Sequence, residues 1–256
     1  MRFALEDVVI AARLIRRRLL LGAAAVAALV VAVPRVKPVY LRQSIGDRLA
    51  VPSATSDERL MRVHPWSRLP FADAVASSRF LRDRNAFAID LVATGKVKFP
   101  RAIRLADVAV REAYRRQVPP ALVLGVMLTE NDELKSTARS RQGALGLMQI
   151  HPGPWRSALG DIFGRNLRND TTNLRYGVYI LSHLSRISGA DSAQWRTALL
   201  RYNGCKRGTN TRDCFTYPEV VRREVQRSAR TICEGANFDQ CVIAPLRLGA
   251  RRAKRA

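Results

Sequence analysis

Apolar and polar positions along the chain divide it into stretches of different character. Residues 1–18 form a basic amphipathic lead, and 19–33 are a fifteen-residue run rich in Ala, Val and Leu. Residues 34–70 are mixed, contain Pro and Ser, and read as a linker with some local helix. Apolar spacing then appears at Phe71, Ala74 and Val75 and again at Phe80, Phe87 and Ile89, which predicts one or two helices. Ile103, Ala106, Val110, Ala113 and Tyr114 give a 3.6-residue period, the first helix of a domain over 101–232. Pro119 and Pro120 open the next helix, since Pro is tolerated in a first turn and fixes a helical φ. Val123, Val126, Met127 and Glu130 then share one face. Residues 173–187, 193–200 and 220–232 read as further helices. Strand signals are scarce, so the expected class is mainly α. The organisation is a basic lead (1–18), an apolar segment (19–33), a linker with a helical extension (34–100), the helical domain (101–232) and a Cys-containing basic tail (233–256).

The apolar segment is short for a spanning helix and fits a signal h-region, with Arg16, Arg17 and Arg18 before it. Val31-Ala32-Val33 before Pro34 is a poor cleavage site, so an uncleaved anchor is the preferred reading over a cleaved signal. Arg13 and Arg16 to Arg18 outnumber Arg35 and Lys37 in the flanks, which places the N-terminus in the cytoplasm and the remainder across the membrane. All four cysteines come late, at 205, 214, 233 and 241. An even count in an exported domain points to disulfides, with three possible pairings. Cys205–Cys214 and Cys233–Cys241 close the short loops and are favoured. A zinc site is the rival, but there is no Cys-x-x-Cys, and His64, His151 and His183 form no ligand cluster with the cysteines. No metal or cofactor is expected.

The net charge of +23, from 44 basic and 21 acidic residues, favours anionic surfaces. Nucleic acid is not the expected partner, because aromatics are only 7% and no basic-aromatic interleaving appears. The Arg-rich end, 247–255, reads as a solvated tail.

Glu130 is where this pattern acquires chemistry. It closes an apolar helix, and desolvation there disfavours its anion. The helix C-terminus disfavours an anion too. Both effects favour a neutral acid able to donate a proton. The loop after it holds Gly143 and Gly146, which permit backbone conformations other residues resist. Gln149 offers donors and an acceptor suited to sugar hydroxyl and acetamido groups. Leu200-Arg-Tyr-Asn-Gly204 adds a phenol and an amide.

Taken in order, these elements resemble the soluble lytic transglycosylase family, with its lysozyme-like fold. The resemblance covers about 103–225. Pro120 stands where members carry a proline about ten residues before the catalytic Glu. Ala138, Ser140, Gly143, Ala144, Gly146, Leu147, Met148 and Gln149 keep the family's Ala-x-Ser-x-x-Gly-Ala-x-Gly-Leu-Met-Gln spacing. Asp170, Asn173 and Gly177 are similar to the next element, with Tyr179-Ile180-Leu181 one residue off register. Ala198-Leu199 and Tyr202-Asn203 look like the Tyr-Asn element, with Gly204 one position early. Tyr217 to Val221 resembles a late Tyr-x-x-x-Val. There are departures. Asn131 follows the acid where the family has Ser, and the stretch from Glu130 to Ala138 is one residue longer than usual. Counting forward from Pro120 puts the acid at Glu130; counting back from Ala138 puts Asn131 there. Insertions are tolerated in loops, which favours Glu130.

The resemblance implies a peptidoglycan lyase on the periplasmic side of the bacterial inner membrane. One Glu protonates the oxygen between N-acetylmuramic acid and N-acetylglucosamine, then acts as base on the muramyl C6 hydroxyl to close a 1,6-anhydro ring. Carried over, Glu130 is the acid and base, and Tyr202 holds or polarises its carboxyl. Met148, Gln149 and Asn203 line the sugar groove, with Tyr217 on the same wall. The alternatives are a lysozyme-like muramidase, which normally needs a second placed carboxylate that the matched motifs do not supply (Asp161 and Asp170 lie far along the chain), and an inactive wall-binding or assembly protein. Expected partners are glycan strands, the membrane through 19–33, and a secretion or envelope assembly machinery.

Overall fold

The computed structural model describes Trp66 and residues 69–187, 192–205 and 212–245, all within one compact unit spanning 42–256. The basic lead, the 19–33 segment, most of the 34–70 linker, His64 and the 247–255 tail lie outside the described residues. Among the described residues no helix is long and apolar enough to cross a membrane.

The elements are α1 (Phe71–Ala76), α2 (Ser78–Ala93), α3 (Phe99–Arg116), α4 (Pro120–Glu130), α5 (Pro152–Phe163), α6 (Asp170–Ile187), α7 (Ser192–Tyr202), α8 (Arg212–Ser228) and a π-helical turn (Asp239–Ile243). Among the described residues there are no strands, only isolated bridges pairing Leu145 with Arg139 and with Ile150. The mainly α expectation therefore holds.

Local chemistry explains the helix starts. The Ser77 hydroxyl caps α2 by accepting the Phe80 N–H, which satisfies one of the orphan donors of the first turn. Pro100 and Pro120 sit in the first turns of α3 and α4, where a missing N–H costs nothing. α3 buries Ala102, Leu105, Ala106, Ala109, Val110, Ala113 and Tyr114, the face its period predicts. It stops at Gln117, whose φ of 56° is left-handed, as is common just past a helix end.

α4 departs from the expected single stripe. Every residue from 120 to 128 is buried, because α2, α3, α8 and the π turn all pack around it. Each buried Val, Leu or Met side chain contributes about 1.5–3 kcal/mol, so tertiary packing rather than propensity holds this helix. Only its last turn reaches the surface, at the half-buried Thr129 and Glu130.

Both ends of the described chain join this core. Phe80, Phe87, Ala88 and Leu91 of α2 belong to the same apolar cluster as α3 and α4, so the extension is not separate from the helical domain at 100. Residues placed in the basic tail also join it: Phe238, Val242 and Ile243 are buried. The buried Asp90 carboxylate of α2 accepts the N–H groups of Thr231 and Ile232, each at 3.0 Å. Core packing therefore continues past 232, beyond the boundary that charge suggested. Two disulfides form with the favoured pairings, Cys205–Cys214 and Cys233–Cys241.

Two elements differ from the pattern reading. α5 begins Pro152-Gly153-Pro154, which resembles a turn but suits a helical first turn. α8 starts at Arg212, eight residues before the predicted 220, and carries Pro218 in its interior.

Candidate active site

The acid at the end of α4 is set by how closely α8 lies on it. A Cβ added at Gly125 would meet Val225 Cγ2 at 2.3 Å and the Val221 carbonyl at 3.4 Å. Only glycine lets the two backbones approach this far. The helices run antiparallel here, so the next contact along the seam pairs Glu130 with Tyr217. The Tyr217 hydroxyl donates to Glu130 Oε1 at 2.5 Å. Tyr217, Val221 and Val225 are all buried, four residues apart on one face of α8.

Burial pushes the Glu130 carboxyl from its ordinary 4.5 to about 7, against the smaller opposing effect of the Tyr217 hydrogen bond. Its position in the last turn of α4 also disfavours the anion. No other carboxylate contributes to the shift. Asp161 is exposed and paired with Arg165, and Asp170 is paired with Arg101. Glu133, a rival acid close by in sequence, is bound by the Lys96 ammonium, which holds its carboxyl below the usual range.

Tyr202, expected to hold or polarise the Glu130 carboxyl, lies close enough to feel its charge but gives its hydrogen bond elsewhere. Its hydroxyl donates to the Met148 carbonyl at 2.9 Å, and the role falls to Tyr217. Burial, and then the Glu130 charge, push the Tyr202 phenol well above its ordinary value. Tyr217 is pushed up for the same reasons in the same order. Both phenols therefore stay protonated wherever Glu130 titrates.

Met148 also differs from the expectation for its side chain. It is fully buried, lies against Gly177 and offers no surface to a ligand. Its backbone is what the site uses, with the carbonyl held by Tyr202 and the N–H given to Asn173 Oδ1 at 2.7 Å. Gln149 is half-buried with a φ of 44°, a conformation uncommon without glycine. Its Nε2 donates to the Gly146 carbonyl. Asn203 is exposed beside Cys205.

Asn173 is the latch of the glycine loop. Besides the Met148 N–H, it donates to the carbonyls of Leu145 and Leu167, each at 2.8 Å. Gly146 lies against it with a φ of 76°, and a Cβ there would fall 2.3 Å from Asn173 Nδ2. Asn131 performs a parallel task. Its amide donates to the carbonyls of Lys135 and Gly146 and accepts the Lys135 N–H. Asn131 is thus buried and turned into the loop, while Glu130 faces Tyr217. His151 contacts the Gln142 carbonyl, and His183 stacks on Tyr179. Among the described residues no His, Cys, Asp and Glu group could hold a metal.

The Tyr217 role was within reach of the sequence, because the four-residue spacing to Val221 and Val225 puts it on a core face. The latch role of Asn173 had only its place in a motif as a signal. Nothing in the local pattern marked Gly125.

No curated protein and no solved structure gives a significant match. Residues 107–213 match the family model described as Transglycosylase SLT domain, a stretch that runs from α3 through α7 and includes Glu130, Asn173 and Tyr202 but ends before Tyr217. That stretch of the chain is similar to the SLT transglycosylase domain, the family whose motif spacing it resembles.

Proposed function

We propose that this chain cleaves the β-1,4 bond between N-acetylmuramic acid and N-acetylglucosamine in peptidoglycan, leaving a 1,6-anhydro end. The reading rests on one observation: a half-buried carboxyl, raised to about 7, reachable at a helix end, with no second carboxylate acting on it. Protonated Glu130 donates to the bridging oxygen as the C1–O4 bond breaks. The resulting carboxylate then takes the proton of the C6 hydroxyl as the C1–O6 bond forms. No water is consumed. The Tyr217 hydroxyl supports the carboxylate between the two transfers. Gln149 and Asn203 supply amides to the sugar wall, and Tyr202 shapes it by fixing the Met148 carbonyl.

A glycosidase that uses water as nucleophile ordinarily sets two carboxylates about 5–9.5 Å apart. Asp161 and Asp170 are instead committed to arginines, which favours the lyase. Two disulfides support an oxidising compartment outside the cytoplasm. Action on the periplasmic face of the inner membrane, with 19–33 as anchor, and association with an envelope assembly machinery belong to the same proposal.

Digestion of intact sacculi followed by product mass tests it. Anhydro-terminated muropeptides are expected. Reducing ends, heavier by one water, would assign a hydrolase, and no release would assign a silent wall-binding protein.

A further inference from the structure

The N-terminal part of α8 lacks one of its own backbone bonds. Pro218 lies inside α8 and has no N–H, so the bond that residue 218 would give to the Cys214 carbonyl is absent. The missing bond spans Tyr217. The stretch of α8 that carries the phenol therefore has one backbone bond fewer than a regular helix would give it. Arg196 of α7 reaches the Phe215 carbonyl, but over 3.4 Å and in the open.

Cys214 is the residue that loses the bond, and it is also the residue joined covalently to Cys205. Their Cα atoms are 5.7 Å apart. Cys205 in turn is fastened to the end of α7, its N–H donating to the Leu200 carbonyl at 2.9 Å. α7 ends at Tyr202, whose hydroxyl holds the Met148 carbonyl. The disulfide therefore ties the joint in α8 to the helix that carries the second phenol of the site.

We propose that the Cys205–Cys214 disulfide is a positioning element: it stands in for the backbone bond that Pro218 cannot make and keeps Tyr217 on the Glu130 carboxyl. The cysteines touch no reacting atom and act through Tyr217. This rests on the reading of Glu130 as the reacting acid, but its test does not need turnover.

The test is a cycle of variants read on the Glu130 titration midpoint in the full-length chain. The midpoint is followed by carbon-13 NMR of labelled glutamate, with the signal assigned by Glu130→Gln. In the intact protein Tyr217→Phe should move the midpoint by about half a pH unit or more, since a hydrogen bond to the charged form is lost. In Cys205→Ser/Cys214→Ser the same substitution should move it by less than about a third as much, because the phenol has already left. Cys233→Ser/Cys241→Ser removes a loop closure of similar length and should leave the full effect. Adding Pro218→Ala to Cys205→Ser/Cys214→Ser restores a backbone donor and should recover the effect.

An equal Tyr217→Phe shift with and without the Cys205–Cys214 bond overturns the proposal. So does equal loss in both disulfide-deleted proteins, which would indicate general loosening. If the serine variant does not fold, the Cys233→Ser/Cys241→Ser protein is reduced while native, leaving only the bond in question to open. Retention of the full Tyr217→Phe shift after that reduction also overturns it. An inactive wild type would sink the proposed reaction and leave this titration result standing.

Discussion

Replacing Glu130 by Gln removes an ionisation while keeping the shape of the side chain and an oxygen for Tyr217. The free carboxyl titrates at 4.5 and the folded one at about 7. Below the free value both folded and unfolded chains hold the proton, and ionisation costs nothing. As pH rises past 4.5, the unfolded chain releases its proton while the fold retains it, so wild-type stability falls. The loss is complete above about 7 and constant beyond. A gap of about 2.5 in pH, at about 1.4 kcal/mol per pH unit, gives about 3 kcal/mol. Because the carboxyl is half-buried and partly screened by water, the expected span is about 2–3 kcal/mol. Glu130→Gln lacks this term, so its advantage over wild type should grow by that amount between about pH 4 and pH 8. Urea unfolding of both proteins across this range measures it. Parallel stability curves would refute the claim that the fold keeps this acid neutral. The same variant should release no muropeptides.

Other outcomes follow from the geometry. Wild-type turnover should decline as pH rises through about 7, where the acid is lost, and a flat profile to pH 9 would remove Glu130 as the rate-governing proton donor. Gly125→Ala forces a Cβ onto Val225 and should cost about 1–3 kcal/mol, seen as a lower Tm together with weakened turnover, because the same seam carries Tyr217. Asn173→Ala strands the Met148 N–H and the carbonyls of Leu145 and Leu167. At about 1–3 kcal/mol for each orphaned buried group, urea unfolding should show a loss of several kcal/mol. Tyr202→Phe should lower stability by about 1 kcal/mol through the Met148 carbonyl while shifting the Glu130 midpoint less than Tyr217→Phe does. The reverse order in an NMR titration would restore Tyr202 as the residue that holds the acid.

What could be read from the chain follows from the range of the forces involved. α3 was legible because seven of its buried residues repeat at the helical period. α4 was legible because Pro119 and Pro120 fix its start, and its length then brings Glu130 to the exit. Its burial on every side was not legible, since a stripe and a fully buried helix differ only in what packs against them. Two stretches were not read as helix: α5, which opens Pro152-Gly153-Pro154, and the start of α8, which carries Pro218. The exchange of Tyr202 and Tyr217 has a different origin. Spacing within one helix tells which side chains share a face, but not which face meets which helix. That pairing is set at Gly125, in a helix remote in sequence from both tyrosines.

Asn131 shows how a site of this kind absorbs change. By the resemblance noted above, the stretch from Glu130 to Ala138 is one residue longer than the usual spacing, and Asn131 stands at its start. By fastening Lys135 and Gly146 to the helix end, its amide shields the proton donor from whatever is inserted downstream. Under the proposed function, sequence drift in this loop would remodel the rim that a glycan first encounters without altering the acidity beneath it.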